Sequence, residues 1–218
     1  MNLPLATAIV TLSLFGMASS VDPRPGGSDR EVVGHSVISS NDPRATLTLP
    51  ARFRYLGEDR WLLGGFDDAE LHLFVDADNT GTVQRLFWVQ FEAYVPDRPD
   101  LHHTYDSPRH ATIGGLDFYV DTGVRAPDAA VEAGSDREHL EAMLRAHGLK
   151  PTPAMMYVRF VHLPDADRRK EMMVIYAEAL QPGGPSPADL SPGGSHASDW
   201  PAMADALAKR GEAQMVLR

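Results

Sequence analysis

Two short patterns, Glu70-x-His72 and Gln90-x-Glu92, place carboxylate, imidazole and amide groups two residues apart in stretches whose apolar residues alternate. In a strand, residues i and i+2 share a face, so each pattern presents its two polar groups to one side. An imidazole beside a carboxylate does acid/base work near neutral pH, and the same pair suits a divalent cation. Trp88 and Tyr94 have the parity of Gln90 and Glu92, and an aromatic ring in such company favours ligand stacking. Glu70, His72, Trp88, Gln90, Glu92 and Tyr94 are therefore the candidate ligand-binding residues of a small-ligand-binding or interaction domain. The alternative is a metal-assisted or acid/base hydrolase-like enzyme that uses Glu70, His72 and Glu92. Half-exposed sheet faces also carry such residues as solvated cross-strand partners.

A hairpin has to bring these groups together. Leu71, Leu73 and Val75 are the apolar residues of one run, and Phe87, Val89, Phe91, Ala93 and Val95 those of the next. DADNTG between them is dense in turn formers. Superposing the two apolar faces sets a register with Leu73 near Phe87 and His72 near Trp88. The opposite face then carries all six candidates together with Phe74. The turn imitates a calcium loop, with Asp76, Asp78 and Thr80 at its first, third and fifth positions. Phe87 stands where that loop requires a bidentate Glu, and the flanks are strand-like, so hairpin-turn chemistry explains the same letters.

Beyond Pro96, the segment with His102, His103 and His110 forms a second candidate cluster, with Asp100 and Asp106 as possible supporting carboxylates. Adjacent histidines in extended chain point opposite ways, and the separation of His102 from His110 is not a diagnostic metal spacing. No phosphate loop, dinucleotide fingerprint, H-E-x-x-H or G-x-S-x-G is present, so no motif specifies a cofactor or a nucleophile.

Composition narrows the classes. Hydrophobic content of 43% and charged content of 23% are those of a globular chain. A net charge of −10 without a dense Lys/Arg run excludes a nucleic-acid backbone binder and disfavours an anionic membrane surface. The partner is expected to be a small molecule or another protein. With no cysteine, disulfides, thiolate metal sites and thiol nucleophiles are excluded. Residues 1–20 contain an uncharged, mainly apolar run followed by Gly16 and Ala18 at signal-peptidase spacing. They read as a signal peptide, which implies a periplasmic or secreted chain with no stable membrane span after its removal. The only positive charge ahead of the run is the α-amino group, and a cytoplasmic chain is the alternative.

Residues 21–43 read as a flexible lead-in with a short strand at Val32-Val33, and 44–181 as the folded domain. Within the domain, 114–121 reads as a strand. MMYVRFVHL and EMMVIYAEAL read as a second hairpin around Pro164-Asp165-Ala166-Asp167. Ser135 and Glu138 form a capping box ahead of Leu140, Met143, Leu144 and His147, one apolar helical stripe that Gly148 stops. Residues 182–199 form a Pro/Gly/Ser linker, and 200–218 a short terminal helix, capped by Asp199 and ended by Gly211, with an extended tail. Six or seven strands with one main helix packed on them specify an α+β fold with a mainly antiparallel sheet, either open or curled and barrel-like.

Overall fold

The computed structural model describes residues 29–125 and 131–218; the expected signal peptide, residues 1–20, lies outside the described residues. The fold is α+β and mostly antiparallel sheet. Seven strands pair in the order β4 (Arg54–Leu63), β5 (Asp67–Ala77), β6 (Val83–Tyr94), β10 (Lys170–Ala179), β9 (Met155–His162), β8 (Leu116–Arg125), β7 (Arg109–Ile113). The edge strands β4 and β7 do not pair with each other, so the sheet is open and the barrel-like alternative is not formed. A smaller sheet, β1 (Arg30–Val33), β2 (Ser36–Ser39), β3 (Ala45–Thr48) and β11 (Val216–Leu217), packs on one face. None of the described helices is long and apolar enough to cross a membrane.

Both faces of the large sheet are covered. On one, Phe74, Phe87, Val89, Val158 and Tyr176 meet Val37 and Leu47 of the small sheet and Leu207 and Ala208 of helix α3 (Trp200–Ala213). On the other, Leu71, Leu73, Val75 and Trp88 meet Leu140 and Leu144 of helix α1 (Asp136–Ala146). Strand β5 shows the consequence: Leu71 and Leu73 on one side, His72 and Phe74 on the other, are all 0% exposed. The expected division into one core face and one mixed face is therefore replaced by two cores.

The hairpin register differs from the expected one by a single residue. Leu73 pairs with Trp88 and His72 with Val89, in place of Leu73 with Phe87 and His72 with Trp88. The cause lies beside the turn. Ala77 pairs with Val83, which is the expected register, but the next pair is Asp76 with Arg85, so Gln84 is an extra residue in β6. A bulge of one residue sends every later side chain of that strand to the opposite face relative to its partner. Glu70 and His72 consequently face the small sheet, while Trp88, Gln90, Glu92 and Tyr94 face α1. The turn residue Asp78 accepts from Thr80 N (2.8 Å), Thr80 Oγ1 (2.6 Å), Thr82 N (3.0 Å) and Gln84 Nε2 (2.9 Å), the bonding of a hairpin turn.

Three flanking segments are more ordered than their composition suggests. Residues 30–39 of the expected lead-in form the β1–β2 hairpin. The Pro/Gly/Ser stretch contains a short helix, α2 (Pro187–Leu190), with a Ser186–Asp189 capping box and a buried Leu190. Asp199 makes no side-chain cap, and α3 runs through Gly211, which lies close against Val158 and Tyr176, to Ala213.

Candidate metal centre

The α1-facing side of the sheet gathers acids at one end of three neighbouring strands. Asp67 opens β5, Glu92 lies near the end of β6, and Glu171 follows the start of β10. Ala69 pairs with Glu92, and Glu92 pairs directly with Glu171, so all three carboxylates have the same parity and stand within one layer. Asp136, from the first turn of α1, adds a fourth. The loop after β6 supplies His103. Asp67, Glu92 and His103 are all buried, and one ligand atom from each lies within 4.8 Å of the others.

Such a cluster is costly when all its acids are ionised. Burial is the main cause that pushes the Glu92 carboxyl up to about 10, and the charges that add most to it are all carboxylates: Glu171, Asp67 and Asp136. Burial likewise raises Asp67 to about 6 and Glu171 to about 7, and raises Asp136. Burial has the opposite effect on the His103 imidazole, lowering it to about 4, so the ring is neutral at pH 7, the form that ligates a cation. Asp67 and Glu92 hydrogen-bond to each other, but the bonding of the cluster is incomplete. His103 Nδ1 lies 3.1 Å from Glu171 Oε2, which also accepts from Tyr105 Oη. His103 Nε2 and Asp67 Oδ1 are buried without a hydrogen-bond partner among the described residues. A carboxylate on one ring nitrogen with the other left open is the arrangement that orients a metal-bound histidine.

The histidine is held from behind. Tyr94 stacks on the His103 ring at 4.4 Å between centroids. His103 N donates to Arg168 O (2.7 Å), and Arg168 Nε returns a bond to His103 O (2.8 Å). The Arg169 guanidinium donates to four carbonyls of the loop, those of Tyr94, Val95, Arg98 and Leu101, at 2.7–3.2 Å. Arg169 thus acts on His103 by positioning its loop. Arg169→Met is expected to loosen the loop that carries His103, read as faster amide exchange across residues 95–103. Unchanged exchange would show that the loop keeps its place without the tether.

Beside the cluster lies a cavity of about 340 Å³ lined by Glu92, Glu171, Asp136, Tyr105, Tyr157 and Arg159, among others. Arg159 Nη2 bonds Asp121 (2.9 Å), while its Nε is buried without a partner among the described residues. Gln90 connects the centre to the core: it accepts from Trp88 Nε1 (2.5 Å) and donates to Glu92 and, at 3.5 Å, to Asp136.

Of the six expected ligand-binding residues, Trp88, Gln90, Glu92 and Tyr94 thus share this side, and Glu92 belongs to the cluster itself. Glu70 and His72 do not. His72 is fully buried between Tyr55 Oη (3.1 Å) and Glu70 Oε1 (2.9 Å), and Glu70 Oε2 faces Arg60 (3.2 Å) and Arg30 (3.7 Å). Glu58, Glu70 and His72 also lie within 4.8 Å of one another, but two guanidiniums already balance Glu70 and both His72 nitrogens are bonded, so this group is a structural ion network. Among the expected loop histidines only His103 reaches the centre: His102 is exposed, and His110 lies in β7 against Tyr119. Asp67, Glu171 and Asp136 were not among the sequence candidates. Their only signal is an acid at the start of an apolar run or helix.

Compared with protein-family models, curated proteins and solved structures, the chain has no match in any of the three.

Proposed function

We propose that the chain binds a divalent cation between Asp67, Glu92 and His103 and uses it on a small molecule held in the adjoining cavity, in hydrolase-like chemistry. The observation that carries this reading is the pair of buried atoms without a hydrogen-bond partner among the described residues, Asp67 Oδ1 and His103 Nε2, beside Glu92, whose carboxyl is pushed up by burial and by the neighbouring carboxylates. Two carboxylates and a neutral imidazole are a hard-to-borderline ligand set that suits Zn²⁺ or Mn²⁺. A cation there offsets the carboxylate repulsion that protons otherwise relieve.

Three protein ligands leave coordination positions for water or a ligand oxygen, and a bound cation lowers the pKa of such a water toward neutrality. Asp136, half-buried on the cavity wall with its carboxyl raised by burial, would serve as the acid/base group toward a ligand in that cavity. Arg159, with Nε buried and unpartnered, supplies a donor for an oxygen that gains negative charge. Glu171 is committed to His103 and Tyr105 and orients the ring.

Titrating the cation-free chain with Zn²⁺ or Mn²⁺ is expected to show one site per chain, weakened at least 10-fold in His103→Ala and unaltered in Glu58→Gln. Loss of binding in Glu58→Gln but not in His103→Ala would move the cation to the Glu58–Glu70–His72 network and overturn the assignment.

A further inference from the structure

The acid-lined cavity does not end at the acids. Tyr157 and Ile175 also line a second cavity, of about 160 Å³, which runs along the sheet beneath α1. Its remaining walls are Leu86, Trp88, Leu140, Met155 and Ala177, with Arg125 alongside, and the surface they offer is almost entirely carbon. The two cavities thus adjoin at Tyr157 and Ile175, polar at the cluster and apolar away from it. Strand parity builds this polarity: Glu171, Met173, Ile175 and Ala177 follow one another on the same face of β10, as do Glu92, Gln90, Trp88 and Leu86 on β6. Along both strands the side chains pass from carboxylate to hydrocarbon in a few residues.

Resting on the proposed cation site, we infer that the ligand is amphiphilic: an acyl compound whose oxygen-bearing head lies in the acid-lined cavity at Glu92 and Arg159, on the side of the cation, and whose short hydrocarbon tail lies against Leu86, Met155, Ile175 and Ala177. The apolar stretch has room for about four to six carbon groups if each takes about the 30 Å³ of a water molecule in the liquid. A cavity of that size is too small for a folded partner, and apart from Arg125 at its side its walls offer carbon. The aromatic faces of Trp88 and Tyr157 suit an alkyl chain. The head is recognised by donors and a cation and the tail only by size, so selectivity falls on chain length more than on tail shape.

Straight-chain hydroxamic acids from acetyl to decanoyl test this on the Zn²⁺-loaded full-length chain by isothermal titration. Affinity is expected to rise about threefold to fourfold per methylene, to level off near hexanoyl, and to fall for decanoyl. Ala177→Phe, which narrows the apolar stretch, is expected to leave acetohydroxamate binding unchanged and to remove most of the gain with length. Should that variant not fold, Leu140→Phe narrows the same stretch from the helix side, and the wild-type length series decides without either. If Zn²⁺ and acetohydroxamate bind but affinity is flat with length, the tail assignment is overturned and the cation site stands. If Zn²⁺ itself does not bind, both fall together.

Discussion

Glu92→Gln is expected to weaken cation binding by at least 100-fold while leaving the cation-free protein as stable as the wild type at pH 7. The two halves of this result come from the same fact. In the absence of a cation, burial and three neighbouring carboxylates hold the Glu92 carboxyl up at about 10, so it is neutral at pH 7 and a neutral amide of the same shape replaces it at little cost. The cation requires the ionised form, and an amide oxygen cannot supply the charge. A residue of ordinary structural importance would behave in the opposite way, since removing a partner from a buried hydrogen-bonded charge commonly costs 3–5 kcal/mol. Thermal melts of the two cation-free proteins, beside their Zn²⁺ titrations, read both halves. A Tm for Glu92→Gln lower by ten degrees or more, with cation affinity retained, would mark Glu92 as a structural acid.

Raising the pH from 7 to 9 is expected to destabilise the cation-free protein and to have much less effect on the loaded one. The sign follows from linkage. Asp67, Glu171 and Glu92 have folded pKa values raised to about 6, 7 and 10. Their contribution is complete below about pH 4, where the unfolded carboxylates are protonated too, and is lost as pH rises through the folded values. His103, lowered to about 4, works the other way, but only between that value and about 6.5. The acids whose pKa values are lowered, among them Asp78, Asp189 and Glu178, lose their protons below this window. From pH 7 to 9 the slope therefore comes from Glu92 and the last part of Glu171, at about 1.4 kcal/mol per pH unit for each proton retained by the folded state. Two pH units correspond to about 3 kcal/mol, or a fall in Tm of roughly 6–12 °C for a chain of this length. A cation replaces those protons, so loading should flatten the profile, and Glu92→Gln should flatten it without any cation. A cation-free protein whose stability rises over this range would show that the cluster is ionised in the folded state and compensated by other means.

The sequence was most informative where local chemistry acts alone. Alternation over 70–75 and 85–95, the turn residues around Asp78, the capping serine at 135 and the paired runs at 155–162 and 170–179 all depend on near neighbours, and each appears in the fold. The failure came from one residue. Gln84 bulges out of β6 beside a turn that otherwise has the expected pairing, and this moves Glu70 and His72 to the opposite side of the sheet from Gln90 and Glu92. Periodicity reports which residues share a face within a strand, but not which face meets which across a hairpin. The burial of both sheet faces was equally hidden, because the small sheet draws on strands from both ends of the chain, β1 to β3 and β11.

The site was partly visible for a related reason. Glu92 and His103 lie in the segment that sequence chemistry singles out, since both stand among aromatics and histidines near the end of β6. Asp67 and Glu171 stand at the starts of other strands, where an acid is unremarkable until pairing sets it beside another acid in a buried layer. The cluster exists only in cross-strand register, and no one-dimensional spacing encodes it.

The most direct measurement is an anomalous difference map from crystals of the chain grown with Mn²⁺. One strong peak is expected at coordination distance from Asp67, Glu92 and His103, with Glu171 bonded to the far side of the ring. Absence of a peak there at saturating Mn²⁺ would overturn the cation site.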